Sequence, residues 1–73
     1  TNVGDIYVAD STNNRIMCWS PKSKEGRIVV GGNGEGNGSN QLNYPISLSF
    51  DADNNLYVVD SRNNRIQRFS VDF

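Results

Sequence analysis

Apolar residues in this chain fall into short runs bounded by clusters of Asn, Gly, Asp and Ser. Ile6-Tyr7-Val8-Ala9, Arg15-Ile16-Met17-Cys18-Trp19 and Arg27-Ile28-Val29-Val30 are rich in β-branched and aromatic residues and predict strands. Ile46-Ser47-Leu48-Ser49-Phe50 alternates apolar with polar residues, the pattern of a half-buried strand. Leu56-Tyr57-Val58-Val59 and Ile66-Gln67-Arg68-Phe69 predict two more. Residues 11–14 make a tight polar connection, and residues 21–26 a turn punctuated by Pro21 and Gly26. Residues 51–54 read as a hairpin turn, where Asp and Asn supply local side-chain bonds and tolerate left-handed backbone. Residues 31–40 are glycine-rich and are expected to form a flexible link. No segment has helical periodicity, so the chain is expected to be all-β.

The pattern repeats. Asp5-Ile6-Tyr7-Val8-Ala9-Asp10-Ser11-Thr12-Asn13-Asn14-Arg15-Ile16 returns as Asn55-Leu56-Tyr57-Val58-Val59-Asp60-Ser61-Arg62-Asn63-Asn64-Arg65-Ile66, at an offset of 50 residues and with eight of twelve positions identical. A period of about 20–50 residues marks a solenoid, a propeller or another array of one supersecondary unit. The 73-residue chain holds about one and a half such units. One repeat cannot cover its own apolar faces, and about three or more are normally needed. The expectation is therefore a piece of a larger array, or a chain completed by other chains.

Seven Lys and Arg against eight Asp and Glu give a net charge of −1, which argues against a nonspecific phosphate-binding surface. No apolar run approaches the ~20 residues of a membrane helix, and no membrane partner is expected. The start, Thr1-Asn2-Val3-Gly4-Asp5, lacks the basic and apolar regions of a signal peptide and a first Met, which points to a processed or internal cut point. Cys18 is the only cysteine and there is no histidine, so no internal disulfide and no zinc site is expected.

The motif (I/L)-Y-V-x-D-S-x-N-N-R-I, present twice, with a glycine-rich link ending in Gln41-Leu42-Asn43-Tyr44-Pro45, resembles the NHL repeat. The resemblance implies β-propeller blades, each a four-stranded antiparallel sheet with strands a to d running outward from a central channel. On it, residues 1–31 are a partial blade with strands b, c and d, residues 32–45 an inter-blade loop, and residues 46–73 a partial blade with strands a, b and c. Tyr7, Asp10, Asn14 and Arg15, with Tyr57, Asp60, Asn64 and Arg65, are the repeat signature. Other propeller signatures are missing: there is no Trp-Asp pair, and Trp19 occurs once. An incomplete blade leaves an unpaired strand edge, a template for another chain.

The candidate chemistry is thin. Asp10 and Asp60 stand five residues before Arg15 and Arg65, so each pair is expected to meet across its turn, with the carboxylate capping turn amides and pairing with the Arg. Asp51-Ala52-Asp53-Asn54-Asn55 opens like an EF-hand loop, but Leu56 and Arg62 stand where that loop needs Gly and Glu. The glycine-rich stretch fits neither phosphate-binding fingerprint, and Gly36 stands where the calcium nonapeptide needs Asp. Asn37-Gly38-Ser39 is the one N-glycosylation sequon and makes Asn37 a candidate glycan acceptor. Arg62, Arg65 and Arg68 cluster in the second unit, whereas the first has Thr12 and Cys18 opposite two of them. Tyr7 and Tyr57 are expected to pack between strands or blades, and Trp19 and Phe69, likewise equivalent, in the core or between blades.

These readings add up to a non-enzymatic structural or interaction module with no catalytic residue, metal or cofactor. It is expected to belong to an extracellular array, or to a self-assembling ring or filament whose partners are other copies of itself or flanking blades of the same protein. An N-linked glycan is the one further partner, and no nucleic acid is expected. The alternatives that the resemblance carries are an RNA-binding propeller and a fragment of an enzyme like the peptide-amidating lyases. The lyases hold metal through histidines, which this chain lacks.

Overall fold

The computed structural model describes residues 4–70; residues 1–3 and 71–73, the outer ends of the two expected partial blades, lie outside the described residues. Six strands form, β1 (Ile6–Asp10), β2 (Arg15–Trp19), β3 (Arg27–Gly31), β4 (Pro45–Phe50), β5 (Asn55–Asp60) and β6 (Arg65–Ser70). They make two antiparallel three-stranded sheets, β1-β2-β3 and β4-β5-β6. This is the strand content expected for strands b, c and d of one blade and a, b and c of the next.

The tight polar connections differ from a featureless turn. Ser11–Asn13 and Ser61–Asn63 are each one turn of 3-10 helix, closed by Asn14 and Asn64 in the left-handed region at φ 55° and 52°. A single turn of this kind carries no apolar periodicity, so the hydrophobic pattern gives no sign of it. Asn tolerates the left-handed conformation better than other non-glycine residues. In the β4–β5 hairpin, Asp51 Oδ1 accepts from the amides of Asp53 and Asn55, and Asn54 takes φ 63°.

Each sheet carries one irregularity. Ile16 pairs with Val30 and Met17 with Ile28, so Val29 is an extra residue. Both Val29 and Val30 thereby pack toward the core. Pro45 pairs with Asp60 and Ser47 with Val59, which leaves Ile46 as the extra residue and exposed. Pro45 opens an edge strand, where a missing N–H costs no ladder bond.

The core lies between the sheets. Ile16, Leu42, Leu56 and Val58 are fully buried, with Tyr7, Ala9, Val30, Leu48, Phe50 and Phe69 packed around them. Leu42, in the link, plugs this core from the loop side. Tyr7 meets Phe50 edge-on, with ring centroids 4.8 Å apart and an interplanar angle of 68°. Trp19 is not core: it stays 38% exposed and closes over Gly26, where a Cβ would come within 2.5 Å of its ring.

Candidate functional site

The turn between the second and third strands of the second sheet gathers most of the polar signature. Asp60 ends β5 with no solvent exposure. Its Oδ1 accepts the backbone amide of Asn43 at 2.6 Å, and its Oδ2 accepts from Arg65 Nε at 2.7 Å and from Asn63 Nδ2 at 2.9 Å. Burial pushes this carboxyl up, but the bonds from Asn43, Asn63 and Arg65 outweigh it, and its pKa falls below the usual 3.8. The Asp–Arg meeting is as expected. The capping of turn amides is not: neither Asp10 nor Asp60 bonds an amide of its own 3-10 turn. The guanidinium and the side-chain amide of Asn13 or Asn63 take the oxygens instead. A charge-assisted bond to Arg is stronger than one to a neutral amide.

Arg65 reaches beyond Asp60. Its outer nitrogens donate to the carbonyls of Asn37, Gly38 and Gln41 at 2.9–3.0 Å. Asn63 donates to the carbonyl of Gly36, and Gln67 to that of Gln41. Within the loop, Asn33 donates to the carbonyl of Asn40, and Gln41 Oε1 accepts the amide of Gly38. The glycine-rich stretch is therefore a bound segment rather than the slack link that its composition suggests. Gly36 leaves room for the Gln41 side chain, from which a Cβ would stand 2.3 Å, while its carbonyl takes the Asn63 amide. Gln41, Asn43 and Asn63 were not singled out by sequence, although Gln41 and Asn43 lie in the Gln-Leu-Asn-Tyr-Pro run.

The first unit repeats the turn. Arg15 Nε donates to Asp10 Oδ2 at 2.8 Å, and Asn13 Nδ2 to both carboxylate oxygens. These bonds from Arg15 and Asn13 lower the Asp10 pKa against a small opposing effect of burial. Two residues of this turn tie the sheets together. Asn14 Oδ1 accepts the amide of Tyr44 at 2.8 Å, and the Ser11 hydroxyl donates to the carbonyl of Pro45. Asn64, the counterpart of Asn14, is exposed.

Tyr7 and Tyr57 part company. Tyr7 faces the core, and burial together with the neighbouring Cys18 pushes its phenol up to about 12. Tyr57 donates to Asp51 Oδ2 at 3.0 Å on the outer face, helping Asn55 to hold the Asp51 pKa down. The arginine cluster is largely consumed: Arg62 stacks over the Tyr44 ring at 4.4 Å, and Arg65 is bound to the loop. Asn37 is exposed on that loop. Among the described residues no group of three His, Cys, Asp or Glu side chains converges as a metal site would require, and no helix is long and apolar enough to cross a membrane.

Antiparallel sheets built from one repeated unit and stacked face to face are the architecture of consecutive β-propeller blades. The family model for the NHL repeat matches residues 42–69, from Leu42 through β4, β5 and β6. That match spans the second unit, and the first unit repeats its motif 50 residues earlier. No curated protein matches the chain.

Proposed function

We propose that this chain is a non-catalytic interaction module whose binding surfaces are the outward faces of its two sheets, and that it works within an extracellular array, or a ring or filament, of such blades. One observation carries the reading. Each outward face is the 50-residue counterpart of a face already used inside the molecule. Ile16 is 0% exposed between the sheets, and its counterpart Ile66 is 67% exposed; Leu56 and Val58 are 0% exposed, and their counterparts Ile6 and Val8 are 62% and 40% exposed. Tyr57, Val59 and Ile66 thus present again the surface that Tyr7, Ala9 and Ile16 offer to the second sheet. Cys18 is buried and Arg68 exposed for the same reason.

The outward face of one copy therefore fits the outward face of opposite type on another. Each aliphatic side chain fully removed from water contributes about 1.5–3 kcal/mol. Such a contact is head-to-tail, and it closes a ring or continues as a filament. The absolute mass of the 73-residue chain by light scattering tests this. A discrete oligomer or polymer that falls to a monomer in Ile66→Glu supports it, and a folded monomer for the unmodified chain overturns it. Consumption of Arg62 and Arg65 by internal contacts weighs against the RNA-binding alternative, and the absence of histidine from the chain against a lyase-like zinc centre.

A further inference from the structure

The link holds two Asn-Gly pairs, Asn33-Gly34 and Asn37-Gly38. A glycine after asparagine lets its nitrogen reach the side-chain carbonyl, since no Cβ stands in the way. The two pairs are held in opposite fashion. Asn33 is held by its side chain, whose Nδ2 donates to the carbonyls of Asn40 at 2.7 Å and Gly31 at 3.3 Å. Asn37 is exposed, and among the described residues its one hydrogen bond is made by its main-chain carbonyl, which accepts from Arg65 Nη1 at 2.9 Å. Its carboxamide is therefore free to turn onto the Gly38 nitrogen. Gln41 Oε1 accepts the Gly38 N–H at 3.1 Å, but that bond lies in the peptide plane and leaves open the face from which a ring closes.

Arg65 is fixed where it meets Asn37. Its Nε donates to the buried Asp60 carboxylate at 2.7 Å, and its Nη2 to the carbonyls of Gly38 and Gln41 at 3.0 Å. We propose that Asn37 is a spontaneous modification site, at which the side chain closes on the Gly38 nitrogen and Arg65 steers the reopened ring to isoaspartate. In the first step the Gly38 nitrogen bonds to Asn37 Cγ, and Nδ2 leaves as ammonia with the Gly38 proton. In the second, water opens the imide at either carbonyl. Attack at Cγ gives aspartate. Attack at the main-chain carbonyl carbon sends the water's hydroxyl there and its proton to the Gly38 nitrogen, which gives isoaspartate. Arg65 donates to the oxygen of that main-chain carbonyl. It therefore stabilises the charge that develops there and then pairs with the carboxylate that forms. The product lengthens the main chain by one carbon between the Gly36 carbonyl that Asn63 holds and the Gly38 carbonyl that Arg65 holds. Closure also expels the nitrogen that a glycan would occupy.

The test is ageing of the full chain in mildly alkaline buffer, with peptide mapping by electron-transfer fragmentation, which separates isoaspartate from aspartate. The reference is a capped synthetic peptide of residues 31–45, which carries both Asn-Gly pairs without Arg65. In the chain, Asn37 should convert ahead of Asn33. Its ratio of isoaspartate to aspartate should exceed the peptide's by about threefold or more. Arg65→Gln should return that ratio to the peptide's value, whatever loosening of the loop does to the rate. Asn33 converting first, no conversion at Asn37 while the peptide converts, or equal ratios in chain and peptide each overturn the proposal. An unchanged ratio in a folded Arg65→Gln variant overturns it as well. Should that variant not fold, the comparison of chain with peptide decides on its own.

Discussion

Asp60→Asn should cost far more stability than the same change at Asp10, although the two residues occupy equivalent places in the repeat. Asp60 has no exposed surface, and its oxygens take donors from the Asn43 backbone, Asn63 and Arg65. The asparagine keeps the shape and one acceptor. Its amide nitrogen, however, would face either the Arg65 and Asn63 donors or the Asn43 N–H, and the guanidinium would lose its counter-charge. Removing one partner of a buried pair costs about 3–5 kcal/mol. The lower end, about 3 kcal/mol, suits a site roofed by a single loop. For a domain of this size that corresponds to about 12–24 °C in melting temperature. Asp10 sits in water on one side, so its variant should melt close to the parent. Thermal unfolding followed by circular dichroism separates the two, at one protein concentration because association would also shift the midpoint. Equal shifts for both variants would refute the claim that the bound loop, rather than the turn itself, makes the second site matter.

Acid should destabilise the fold through the same groups: Asp10, Asp51 and Asp60 all titrate below the usual 3.8, so the unfolded chain takes up protons first as pH falls. Their contribution is whole above the unfolded value and is lost as pH drops through the lower folded values. Melting temperature should therefore hold steady above about pH 5 and fall below about pH 4, with a shallower acid limb in Asp60→Asn; identical limbs would contradict this. Gly31→Ala should lose about 2 kcal/mol or more, because Gly31 has φ +83° and an added Cβ would lie 2.5 Å from the Asn14 carbonyl. Gly34→Ala, at φ +82° with open space around it, should lose only the backbone term of about 1–2 kcal/mol, and denaturant midpoints compare the pair. Secreted from eukaryotic cells, the chain should carry a glycan on Asn37 that Ser39→Ala abolishes, as intact mass would show. Asn37→Gln should alter stability by no more than about 0.5 kcal/mol, since the exposed loop is gripped there through its carbonyl.

Much of the fold is legible because its strands obey period two and its turns use residues with a mechanism. Leu56 and Val58 alternate with Tyr57 and Val59, and the burial follows. Asn54, Asn14 and Asn64 stand where the backbone turns left-handed. The Asp–Arg pairs are legible too, because five residues across one tight turn bring the ends together. The loop is another matter. Glycine and asparagine read as slack chain, and nothing local says that Arg65 and Asn63 will bind its carbonyls from more than twenty residues away. The extra Val29 in β3 is hidden as well, since a run of β-branched residues looks alike with or without a bulge. Trp19 misleads by size: its aromatic ring promises core, but in this sheet its place is on the outward face, over Gly26.

Two polar bonds cross from one end of the first unit, from Ser11 and Asn14, to the chain around Tyr44 and Pro45. At the other end of the strands, the turn around Asp53 is held within its own sheet, Asp51 accepting from Asp53, Asn55 and Tyr57. The sheets are thus stitched at this margin like the leaves of a book. A splaying force, or early thermal opening, has to break the Asn14 stitch before the leaves part at this margin. A change there would loosen one leaf from the other while each keeps its own strand pairing.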